Sequence, residues 1–190
     1  MRREYSRLFR VMHWSIAITM LFLLLTILLR LGWMNKYHVA DIIGDFLKDK
    51  DASLTEDELI VLAKKIRKPM WDWHIYAGYL LTGLYSIRLL LPFFGEMKFK
   101  NPFQKSVSAK VRFEYAVYAL FYLFVGASLV TGLVIEFGPK EYKHTMEEIH
   151  ELSIYYLLGF IIIHFSGILI AEFTSEKGII SRVIGGNKKA

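Results

Sequence analysis

The chain has no cysteine. That excludes disulfides, cysteine-ligated iron–sulfur clusters and haem attached covalently through a C-x-x-C-H motif. A redox cofactor here would have to be held by histidine or methionine. There is also no internal repeat and no low-complexity segment. A further absence is charge, in four long stretches. Val11–Leu29 runs for 19 residues without an acidic or basic side chain, Tyr115–Ile135 and Leu152–Ala171 have none, and Trp73–Leu91 has only Arg88.

Each stretch is close to the roughly 20 residues that carry a helix across a bilayer. Backbone groups in lipid have no water to pair with, so such runs are helices. Hydrophobic residues make up 54% of the 190 residues, above the roughly 45–50% of soluble domains. The excess sits in these four blocks. The predicted fold class is therefore all-α: an integral membrane four-helix bundle in one domain over 1–190. The spans are expected at about 10–30, 71–93, 113–136 and 147–172. The first apolar run is too long for a cleaved signal peptide, and no small-residue cleavage site follows it.

The net charge is +6, and its placement indicates topology rather than nucleic-acid binding. Arg2, Arg3, Arg7 and Arg10 precede the first span. Lys98, Lys100, Lys105, Lys110 and Arg112 lie between the second and third, against the single acid Glu96. Lys177, Arg182, Lys188 and Lys189 follow the fourth. With four spans these segments share one side, and the positive-inside rule makes that side cytoplasmic, with both termini. The expected location is a bacterial inner (plasma) membrane.

About residues 31–70 form a long external segment. Val39, Ile42, Ile43, Phe46 and Leu47 recur at helical spacing, and Thr55 with Glu58 forms a capping box opening Leu59–Ile66. Two short amphipathic helices on the outer surface are predicted, as a helical insertion between the first two spans. They either cover the bundle end or dock a partner.

Histidine at membrane depth is costly and marks a functional site. His13, His74, His150 and His164 fall within or at the ends of spans. The direction of each span places His74 and His150 near the outer face and His13 and His164 near the inner one. His150 and His164 are 14 residues apart, close to four turns of about 3.6 residues, so a continuous fourth helix presents both on one face about 21 Å apart. Two imidazoles per level suit haem iron, whose porphyrin supplies the other four ligands. Zinc takes three or four protein ligands, often with cysteine or carboxylate. The predicted assembly is two stacked b haems. Gly78, one turn after His74, and Gly126, Gly132, Gly159 and Gly167 leave room for a flat macrocycle or simply pack helices closely. Arg88, at the inner level, and Arg10, near His13, are cations that can pair with haem propionates. His38 and His144 lie in external segments and match no ligand position.

The pattern Arg7-x5-His13-Trp14, His74-x3-Gly78 with Arg88, and His150-Glu151 with His164 resembles the bacterial cytochrome b561 family. It is also similar to the b-type cytochrome subunits of nickel-iron hydrogenases and formate dehydrogenases. The resemblance covers the four spans but not the long first external segment. It implies two bis-histidine haems, with the fourth span supplying one ligand to each. It implies quinone chemistry at a haem edge, expected here near the inner haem beside Arg10, Arg88, Ser166 and Glu172. The implied role is an electron-transfer subunit working between the quinone pool and a periplasmic c-type cytochrome or oxidoreductase, rather than a stand-alone enzyme. One alternative is a self-sufficient quinone-reducing superoxide oxidase. The balanced charge of the outer segment, seven acids between Asp41 and Glu58 against as many bases between Lys36 and Lys68, gives it no cationic funnel. The other alternative is a non-redox transporter or scaffold.

Overall fold

The computed structural model describes residues 5–50, 52–99, 101, 103 and 108–186. Arg2, Arg3, Lys100, Lys105, Lys188 and Lys189, part of the basic topology signal, lie outside the described residues. The described elements are all helical: α1 (Arg7–Leu31), α2 (Lys36–Lys48), α3 (Glu56–Leu90), a 3₁₀ turn at Leu91–Phe94, α4 (Ala109–Phe137), α5 (Lys140–Glu151), α6 (Ser153–Phe173) and α7 (Ile179–Gly185).

Four helical stretches are long and apolar enough to cross a membrane: Arg7–Leu31, Glu56–Phe94, Ala109–Phe137 and Lys140–Phe173. Most of their apolar side chains face outward, Leu21, Leu25, Leu28, Leu123, Ile162 and Phe165 among them. In water so much exposed apolar surface would drive association. In lipid it is the solvated surface.

The chain forms two compact units, residues Ile16–Gly83 on the one hand, and those up to Ser15 with those from Leu84 onward on the other. In the first unit, α1 and α3 are tied by polar contacts. Thr26 meets His74, the Arg30 guanidinium lies 4.8 Å over the Trp71 ring, and Arg67 Nη1 donates to the Met34 carbonyl at 3.5 Å. Asn35 caps α2 by accepting from the Tyr37 amide at 2.9 Å. The helix lies against the start of α3, where Gly44 comes close to Leu59. The capping box forms as expected: the Thr55 amide donates to the Glu58 carboxylate at 2.8 Å, and the Glu58 amide to Thr55 Oγ1 at 3.3 Å.

That box does not open a short separate helix. It opens α3, which continues through Pro69 into the second span for 35 residues. At 1.5 Å per residue this is about 52 Å, well beyond a hydrocarbon core of about 30 Å. Among the described residues, the segment 31–70 thus holds one free-standing helix, α2, and a helical extension of the span. The missing Pro69 N–H leaves one carbonyl of the preceding turn without its helix donor, where the polar extension meets the apolar run.

In the second unit, Ser6 caps α1 by accepting from the Phe9 amide at 3.1 Å, and Ser108 caps α4. The fourth span departs from the sequence expectation. It is two helices, α5 and α6, interrupted at Leu152. The Leu152 amide reaches back only three residues, to Ile149 O at 3.2 Å. His150 and His164 stand on α5 and α6, on either side of a residue that keeps right-handed backbone angles, φ −63° and ψ −14°.

Candidate haem site

His13 and His164 come together in the second unit. Their ring centres are 6.1 Å apart at an interplanar angle of 42°. Two imidazoles on opposite sides of one first-row metal ion, each bonded at about 2 Å, have centres about 6 Å apart. The pair has the spacing of axial ligands. Phe9 stacks on His13 at 5.9 Å and Phe160 on His164 at 5.3 Å, so aromatic neighbours fix both rings. The Tyr118 hydroxyl lies 3.5 Å from His164 Nδ1.

His150 is held from α4. Its Nδ1 lies 3.0 Å from the Ser128 carbonyl oxygen and 3.1 Å from Thr131 Oγ1. A carbonyl can only accept, so Nδ1 carries the proton and Nε2 carries the lone pair. Ser128 is itself braced, its Oγ 2.6 Å from Ser153 Oγ and accepting from the Tyr156 hydroxyl at 3.0 Å. Gly132 faces the His150 ring, and a Cβ there would sit 3.2 Å from Cε1. Gly126 likewise makes room for the Tyr85 hydroxyl, which donates to the Tyr122 carbonyl at 2.7 Å. These two glycines accommodate side chains of their own unit, where the sequence suggested a macrocycle edge. Gly159 and Gly167 face open space.

His74 is held within the other unit. Its Nδ1 is 2.7 Å from Thr26 Oγ1. Thr26 spends its one proton on the Leu23 carbonyl, 2.6 Å away. Its oxygen must then accept from His74, which puts the proton on Nδ1 and the lone pair on Nε2. Trp71 stacks on the His74 ring at 4.8 Å and 2°. A Cβ on Gly78 would meet nothing within 4 Å.

Arg88 is buried, 7% exposed, and lies 4.6 Å over the Phe99 ring and 5.2 Å over Tyr122. Its Nε and Nη1 have no hydrogen-bond partner among the described residues. Arg10 packs its guanidinium on Gly186 and also leaves Nε unpaired among them. A buried cation without an anion is expensive, and a propionate is the kind of group that would satisfy it. The residues present therefore fit haem: two imidazoles at ligand spacing, tautomers that leave the lone pair of His74 and His150 on Nε2, and buried guanidinium nitrogens of Arg88 and Arg10 without a partner among the described residues. No group of three or more His, Cys, Asp or Glu side chains among the described residues could hold a metal ion by protein donors alone.

The remaining sequence candidates have structural roles. Glu172 accepts from the amides of Gly178 at 2.7 Å and Ile180 at 3.1 Å, so it ties α6 to the start of α7. The sequence had placed it as a proton-exchanging or solvated carboxylate. His144 sits 3.6 Å from Glu148 one turn on, and both are exposed. Thr26 and Thr131 were missed. The available signal was their polarity within apolar runs, but their partners lie on other helices and are invisible to local spacing.

No curated protein and no solved structure matches this chain. The family model for prokaryotic cytochrome b561 matches residues 4–186, nearly the whole chain and all four spans. The chain therefore belongs to the prokaryotic cytochrome b561 family, multi-pass membrane proteins that bind b-type haem and work in electron transfer.

Proposed function

We propose that this chain is a di-haem electron-transfer subunit working between the quinone pool and a periplasmic redox partner. The observation that carries the reading is the 6.1 Å approach of His13 and His164, one ligand-spaced pair at the inner level that the sequence assigned. By the same depth argument, His74 and His150 are proposed as haem ligands nearer the periplasm. When bound, haem b supplies a one-electron couple at each level.

The protein's own residues do the rest. His74 and His150 are held by bonds at Nδ1, and His13 and His164 by stacking. Arg88 and Arg10 offer cations to propionates. Apolar side chains around the spans keep water away from the electron path. Quinone is proposed at the inner level, beside His164, the start of α1 and the end of α3, where Ser166 and Arg88 supply polar groups. Both termini are proposed to be cytoplasmic. The long α3 extension and α2 then lie on the periplasmic side, where a c-type cytochrome or oxidoreductase would dock.

The test is a redox-titrated visible spectrum with haem counted per chain. Two low-spin b haems per chain are expected. One haem, or none in material made with ample haem, would overturn the reading. Isolation with a stoichiometric periplasmic redox protein would support the subunit role. Full turnover by the chain alone, or haem reduction by superoxide in stopped flow, would replace it with the self-sufficient oxidase.

A further inference from the structure

The two histidines assigned to the outer level share a device found at neither inner histidine. In each case Nδ1 faces a threonine hydroxyl on a neighbouring helix. In each case that hydroxyl returns its proton to a carbonyl three residues earlier in its own helix: Thr26 to Leu23 at 2.6 Å and Thr131 to Ser128 at 3.0 Å. Both threonines are buried, 2% and 7% exposed. A buried hydroxyl costs stability unless its bonds are made, and here each is spent on a histidine and a carbonyl together. The two arrangements arise independently, one in each compact unit.

We propose that Thr26 and Thr131 are positioning residues for haem ligands, each within its own unit, and that by accepting the Nδ1 proton of His74 and His150 they fix Nε2 as the ligand atom and lower the reduction potential of the haem that each histidine would hold. The proposal rests on the di-haem reading above. An N–H that donates strongly leaves more electron density on the imidazole. The ring becomes a better donor to iron, and the oxidised, more positive state gains. His150 has the stronger arrangement, because the Ser128 carbonyl accepts beside Thr131. At the inner level, His13 has only ring neighbours among the described residues, Phe9, Trp14 and His164. His164 has a hydroxyl only at 3.5 Å. The inner haem lacks the same push. The outer haem becomes the better reductant of the two, which favours electron movement inward toward the proposed quinone site.

The experiment is a potentiometric titration of the full-length haem-loaded chain beside Thr26→Val, Thr131→Val and Thr131→Ser, with electron paramagnetic resonance of the ferric haems. Each valine variant keeps the shape and removes the threonine acceptor, which leaves His150 with the Ser128 carbonyl alone, so the larger effect is expected from Thr26→Val. Thr→Val should raise the potential of one haem, move that haem's low-spin signal and leave the other unchanged. Thr131→Ser should restore both. Haem retention at the affected level should weaken by about 10- to 100-fold, as for other partners of metal-bound histidine. Unshifted potentials and signals with both haems bound would overturn the proposal. If a valine variant sheds one haem outright, normal retention and potential in Thr131→Ser supports the proposal, and loss in that variant as well overturns it. A wild-type chain with no low-spin haem overturns the di-haem reading itself, a result distinct from an unshifted variant.

Discussion

The ring of His13, less than two turns from the start of the chain's first helix, stands 6.1 Å from that of His164 on α6. The two are 151 residues apart in sequence (164 less 13). Nothing local brings them together. Removing either should abolish one haem and spare the other. We expect His13→Ala to retain about one haem per chain, losing the inner signal, and His150→Ala to lose the outer signal instead. Haem quantitation with the reduced-minus-oxidised spectrum decides. Loss of both haems from a still-helical chain would contradict the assignment of levels.

Arg88 gives a prediction with opposite signs in two states. In haem-free protein, Arg88→Gln removes a buried charge that lacks an acidic partner among the described residues, so stability should hold or rise. In haem-loaded protein the same change would strand a propionate, at a cost of about 3 kcal/mol for a broken buried pair. The inner haem's potential should fall, because a nearby cation favours the reduced, less positive iron. Thermal unfolding with and without haem, read beside the potentials, checks both. Equal destabilisation in the two states would assign Arg88 to packing on Phe99 and Tyr122.

Gly186 has φ +83° and lies against the Arg10 guanidinium. Gly186→Ala should cost about 1–3 kcal/mol from a backbone conformation that only glycine adopts readily, and Arg10 would have to move as well. The expected readout is easier proteolysis after α6 at unchanged helix content. An unchanged cleavage rate would mean that α7 does not depend on this contact.

A quinone-analogue inhibitor should shift the inner haem's spectrum or potential only. A shift confined to the outer haem would place the quinone at the periplasmic face, making α2 and the start of α3 a wall of its pocket.

Reporter fusions within Asp49–Ser53 and after Ala190 should report opposite sides of the membrane, with the second cytoplasmic. The same side for both would break the four-span topology.

Much of this protein was legible without coordinates, because a bilayer imposes a local rule. About twenty residues without charge must become a helix, since lipid offers the backbone no partner. Four such runs gave four spans, and histidines within them stood out because burial there is costly. The capping box at Thr55 and Glu58 was equally local, with donor and acceptor three residues apart. What depended on tertiary structure was everything set by a neighbouring helix. That α3 runs unbroken past Pro69 could not be seen from the capping box, which marks a start and not an end. The junction at Leu152 falls where the charged α5 meets the start of the apolar run, and hydropathy is blind to a missed backbone bond. Gly132 looked like space for a macrocycle until His150 was seen to fill it. The proton on His74 is placed by Thr26, 48 residues away, and the proton on His150 by a carbonyl 22 residues away. Apolar length is a property of one segment. A hydrogen-bond partner is a property of two, and only their packing decides which residues meet.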